Sequence, residues 1–123
     1  MKKENWVWMP HVAHHICGEK MHYSLATYVG GYVVSTVGDY YPNGYYSKLG
    51  NKNQKDTVGH GRFYETMVFR AKKSDQKCCG YDIATGENVD FQGYSTAQEA
   101  TKGHYLLCKK WAQKCNHTSK EKR

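Results

Sequence analysis

The sequence predicts an α+β domain, an antiparallel sheet of three to four strands with one C-terminal helix packed on a face. Three observations predict it. β-Branched and aromatic runs on either side of Gly30-Gly31 read as a hairpin over about 21–38. Arg62 to Arg70 is a further strand-like run. After Thr96 the apolar spacing changes to the helical period. Sheet and helix each leave an apolar face, and the two faces can bury each other.

In the first hairpin strand, Met21 to Val29, Met21, Leu25 and Val29 alternate with smaller or polar neighbours. The second, Tyr32 to Val37, is rich in valine and threonine. Between them the two glycines adopt the positive φ of a type I′ turn without steric penalty. Residues 39–61 carry Pro42, Gly44, Gly50, Gly59 and Gly61 and predict a long loop. The third strand is Arg62-Phe63-Tyr64-Glu65-Thr66-Met67-Val68-Phe69-Arg70, and Val89 to Phe91 reads as a short fourth. Lys72 to Glu87 reads as a polar, cysteine-bearing connection. Thr96 with Glu99 matches a capping box, and Ser95 is a second candidate cap. Ala100, His104, Leu107, Cys108, Trp111 and Cys115 then fall on one stripe, which must face the sheet. Residues 1–116 read as one domain, and 117–123 as a basic, disordered tail.

Composition narrows the function classes. Tyrosine outnumbers phenylalanine by 11 to 3, so the rings either enter a core with wet hydroxyls or face a partner. No run of 18 apolar residues exists to span a membrane, and Trp6 to Pro10 is too short for a signal peptide's apolar region. Five cysteines, an odd number, fit a reducing cytosol better than a secreted disulfide framework. The net charge of +7 is concentrated, with six cations against one acid from Lys109 onward and four against one from Arg70 to Lys77. Such clusters fit a nucleic acid or an acidic protein as partner. A solvated helix end with its tail explains the first cluster equally well.

The residues most suggestive of chemistry are His104 and Cys108, four apart on the inward stripe. Imidazole and thiolate are zinc ligands, so Cys78, Cys79, His104 and Cys108 form a candidate structural Zn2+ site. Adjacent cysteines tend to diverge. If only one of that pair binds, the fourth ligand comes from elsewhere, with His11, His14, His15 and Cys17 as the obvious source. The competing reading makes Cys17 a small core residue and its histidines exposed. A catalytic Cys-His pair would need an orienting third group and an accessible thiol, and an inward stripe suits neither. With no paired carboxylates, Gly-rich phosphate loop or hydrolase elbow in evidence, the chain reads as a non-enzyme. Tyr40, Tyr41, Tyr45 and Tyr46, together with Lys72 and Lys73, are the candidate partner-binding residues.

Several stretches, in order, carry a resemblance: His11 to Gly18, Thr27 to Tyr40, Tyr64 to Phe69, then Gly93-Tyr94-Ser95-Thr96 with Glu99-Ala100 and Gly103-His104 to Cys108. Together they resemble a family of small accessory proteins of tailed bacteriophages, one that carries no assigned activity or site residues. The adjacency of Cys78 and Cys79 departs from the looser cysteine spacing expected there. The resemblance implies an accessory protein in the cytoplasm of an infected bacterium. It would inhibit a host defence component, in the manner of an anti-CRISPR protein, by binding it directly. The alternative, which rests on the basic clusters and the tyrosines, is a nucleic-acid-binding accessory protein.

Overall fold

A computed structural model of the chain describes residues 6–9, 21–41, 57–58, 61–75 and 79–121. The strands are β1 (Trp6–Trp8), β2 (Met21–Val29), β3 (Tyr32–Tyr40), β4 (Tyr64–Lys73) and β5 (Tyr81–Tyr94), and the helix is α1 (Ala97–Glu121). The strands form one antiparallel sheet in the order β1-β2-β3-β4-β5, each beside its neighbour in sequence. The α+β class is as expected, with five strands instead of three to four. The first strand is the addition. The segment 72–87 is largely strand as well, because β4 runs to Lys73 and β5 begins at Tyr81. The helix reaches Glu121, into the stretch expected as a tail.

The hairpin forms as its glycines dictate. Val29 pairs with Tyr32 across Gly30 and Gly31, whose φ values are 52° and 104°. Successive strand residues point to opposite faces, so Val34, Thr36 and Gly38 face α1 while Val33, Ser35 and Val37 face away. On the helix side, Val29, Val34 and Val68 pack against Cys108 and Ala112, with Trp6, Tyr32, Leu107 and Trp111 around them. At the other end of this layer Tyr64, Tyr94 and Ala100 are buried, joined by Tyr23 and Phe63. The Tyr64 ring lies over Gly38, where any side chain would collide with it.

On the far face, Met9, Ala26 and Val33 are buried with Ala71, Cys79, Tyr81 and Ile83. The start of β5 folds over this face, so that the Tyr81 ring stacks on Tyr28 at 3.7 Å between centroids. The β4–β5 ladder absorbs that curvature by changing register. Phe69 pairs with Asn88 and Ala71 with Ile83, leaving residues 84–87 as an exposed excursion opposite Arg70.

The start of α1 is built as the sequence indicates. Thr96 Oγ1 accepts the Glu99 N–H at 3.1 Å. Glu99 Oε1 reaches back to accept the Ser95 N–H at 3.1 Å, one residue before the cap itself. At mid-length, Asp90 Oδ2 accepts hydrogen bonds from Lys110 Nζ and Trp111 Nε1, both at 2.9 Å, fastening the helix to β5. Among the described residues no helix is long and apolar enough to cross a membrane.

Candidate functional site

His104 and Cys108 do share the inner face of α1, as their spacing requires, and both are buried. Gly103 precedes the histidine because the Tyr94 ring occupies the space a Cβ would need. That missing side chain brings the helix down onto the sheet and sets the imidazole among strand hydroxyls. Its Nδ1 lies 2.6 Å from Thr36 Oγ1 and its Nε2 2.9 Å from Thr27 Oγ1. Thr36 Oγ1 is in turn 2.6 Å from Thr66 Oγ1. A neutral imidazole offers one N–H and one lone pair, and a hydroxyl can meet either. Both tautomers therefore satisfy the ring.

Tyr94 stands at one end of this seam, its buried hydroxyl without a hydrogen bond among the described residues. Burial pushes its ionisation up. Cys108 stands beside Thr27 at the opposite end. Burial pushes its thiol up to about 12, and the Thr27 hydroxyl offsets this only in part. Burial alone lowers His104 to about 4. A neutral imidazole beside a protonated thiol is neither an activated nucleophile pair nor a base poised for neutral pH. The seam can hold the helix in register on the sheet.

Of the four residues expected to bind zinc, three are described, and Cys79 is set apart from His104 and Cys108. Cys79 packs with Met9, Ala26 and Val33 on the face of the sheet away from the helix, and its Sγ lies 3.4 Å from the Tyr81 carbonyl. Cys108 packs with Val34 on the helix side. A metal can deprotonate a thiol that it reaches, but it cannot reach through a sheet. The hydroxyl contacts also occupy both ring nitrogens of His104, either of which zinc would need. Among the described residues no three His, Cys, Asp or Glu side chains group to hold a metal ion. Cys78, His11, His14, His15 and Cys17 lie outside the described residues, and so does the side chain of Cys115.

The expected partner-binding residues also separate. Tyr40 ends β3, and Tyr41, just beyond it, packs edge-on against His22 at 5.2 Å. Lys72 and Lys73 are exposed at the opposite end of the sheet, paired with Asp82 and Tyr81. Since Tyr32 pairs with Arg70, the two groups stand about 30 Å apart along the strands. Tyr45 and Tyr46 lie outside the described residues.

A different surface gathers aromatic and cationic groups, one the spacing argument did not single out. Where α1 meets β1, Trp6 packs edge-on against Tyr105 at 5.7 Å. Lys109 Nζ sits 5.4 Å from the Tyr105 ring centre. Trp8, two residues along β1 from Trp6, is 65% exposed and Tyr105 is 41% exposed. The signal was present in the sequence, because no Asp or Glu occurs from Ala100 to Lys120 while five lysines do. On the other flank of α1 a groove of about 600 Å³ runs between the helix and β5. Comparison of the chain with protein-family models, with curated proteins and with solved structures finds no match.

Proposed function

We propose that this chain is a non-catalytic binding module whose working surface is the α1–β1 flank, and that its partner is an acidic protein. One observation carries the reading: Tyr105 stands exposed beside Lys109, on a helix with no acidic residue between Glu99 and Glu121, and Trp8 is exposed on the strand whose Trp6 packs against Tyr105. Tryptophan, tyrosine and cations are the groups that carry most energy at protein interfaces. The phage resemblance supplies the setting, a bacterial host cell in which the partner would be a defence component inhibited by occupancy. Chemistry on the partner is not needed, and the neutral His104–Cys108 pair offers none.

A second reading draws on the same rings, since bases of a single strand stack on tryptophan and tyrosine beside lysine. Capture from nuclease-treated bacterial lysate separates the two. Wild-type protein should retain an acidic protein that Trp8→Ala or Lys109→Glu releases, with a loss of about 2 kcal/mol in binding for the tryptophan. If nuclease removes everything captured and an oligonucleotide binds instead, the nucleic-acid reading replaces this one. Retention unchanged in both variants would discard the surface altogether.

A further inference from the structure

We infer that the groove between α1 and β5 is a binding site for a phosphate ester. It lies on the opposite flank of the helix from Trp8 and Tyr105 and uses other residues. Three cations line it from two parts of the chain: Arg62 before β4, and Lys102 and Lys110 on α1. Arg62 is laid across β5 because Gly93 has no side chain; a Cβ there would meet its Cγ at 2.8 Å. Arg62 Nη1 then donates to Ser95 Oγ at 3.2 Å, which holds the guanidinium over the groove.

The acidic groups nearby are already engaged. The one carboxylate on the groove wall is Glu99, whose Oε1 accepts the Ser95 N–H. Asp90 is shared between Lys110 and Trp111. Burial raises its carboxyl, but the hydrogen bonds from Lys110, Trp111 and the Phe91 N–H outweigh that and hold it below the usual carboxylate range. Lys102 makes no hydrogen bond or ion pair among the described residues, and the three cations against the carboxylates of Glu99 and Asp90 leave the groove with one net positive charge. An anion with several oxygens suits the Arg62 guanidinium and the Lys102 ammonium, with the Asp90-paired Lys110 at the far end of the groove.

The remaining lining sets the rest of the ligand. Leu106 and Leu107 give an apolar wall and Gln92 a polar group opposite. Lys102 and Lys110 are about 12 Å apart along the helix axis, too far for one phosphate but suited to a chain of them. The volume of about 600 Å³ is that of a small-ligand site. These features together fit a phosphate chain joined to a partly apolar group, as in a nucleotide. That chemistry occurs both in a free nucleotide and in a single-stranded nucleic acid.

Titrations followed by the backbone amide resonances of Gly93 and Gly103 test the assignment, with adenosine triphosphate, inorganic pyrophosphate and a short oligothymidylate as ligands. At least one should shift both glycines saturably, with affinity about tenfold weaker in Arg62→Ala and in Lys102→Ala. Both substituted side chains are exposed, so unchanged spectra elsewhere will report that the variants fold. Saturation by the triphosphate without the oligonucleotide assigns a free nucleotide, and the reverse assigns a strand. Saturation by pyrophosphate as well places the affinity in the phosphates. The inference is overturned if none of the three shifts these glycines at roughly 5 mM. Shifts of equal affinity in both variants overturn it too.

Discussion

The inner and outer faces of α1 put polar groups to opposite uses. Inside, His104 meets Thr27 and Thr36, so an imidazole that looks reactive in the sequence is held by fixed strand partners. Outside, Lys102 is unpaired among the described residues and Lys109 sits over a half-exposed ring. A buried polar group costs free energy unless its hydrogen bonds are made, which ties the inner residues to folding. An exposed cation contributes little to stability, so the outer residues can change with small effect on it. The difference separates two roles: the groups whose needs are met within the fold hold it together, and the outer groups are the ones on which the proposed binding rests.

Replacing His104 is the strongest way to break this contrast. His104→Ala takes the ring partner away from Thr27 and Thr36, leaving Thr36 only Thr66, and opens a cavity, for an expected loss of about 4 kcal/mol in denaturant unfolding. A loss under about 1 kcal/mol would mean that the seam is not structural. Next comes pH. His104 titrates near 4 in the fold against an ordinary 6.5, so its neutral form is the one the fold favours. Its contribution is complete above pH 6.5 and is lost as pH falls from 6.5 towards 4, a change on the order of 3 kcal/mol. Unfolding free energies for wild type should decline over that interval, and those for His104→Gln should lack that component. Matching slopes would assign the decline to other groups.

Gly103→Ala probes the close approach beside the histidine. Alanine favours a helix over glycine by about 1 kcal/mol, but its Cβ collides here with the Tyr94 ring. A net loss of about 2 kcal/mol in thermal or denaturant unfolding is expected. In a Tyr94→Leu background the sign should shift towards a gain. The smallest effect tests the metal expectation. If no site forms elsewhere in the chain, chelator treatment leaves the melting temperature unchanged, because Cys79 and Cys108 lie across the sheet from each other and do not share an ion. A fall of several degrees would show a zinc site built with residues beyond those described.

Much of the architecture was legible because it is local. The Gly30-Gly31 turn, the aromatic run of β4 and the Thr96–Glu99 cap each follow from a few adjacent residues. The inward setting of His104 and Cys108 was legible from helical spacing alone. What surrounds them was not. Thr27, Thr36 and Thr66 reach the imidazole from strands far away in sequence, and a threonine in a strand carries no mark of what it will face. The sheet likewise decides which side Cys79 takes, and local spacing does not determine that. Three-residue β1 was too short to register as a strand. β5 was shortened to its apolar end because residues 84–87 leave the ladder and read as polar loop.

That excursion has a consequence for how molecules of this protein meet one another. A sheet left open on both sides offers two rims of unpaired backbone groups, each a template onto which another chain could polymerise. Among the described residues one rim, β1, is three residues long. The other, β5, is fourteen residues long, but it is interrupted by a swelling that keeps a straight strand from lying alongside. The same kink that folds Tyr81 over Tyr28 thus guards the fold against fibre-like stacking. Removing residues 84–87 would leave a smoother rim and a protein more prone to aggregate.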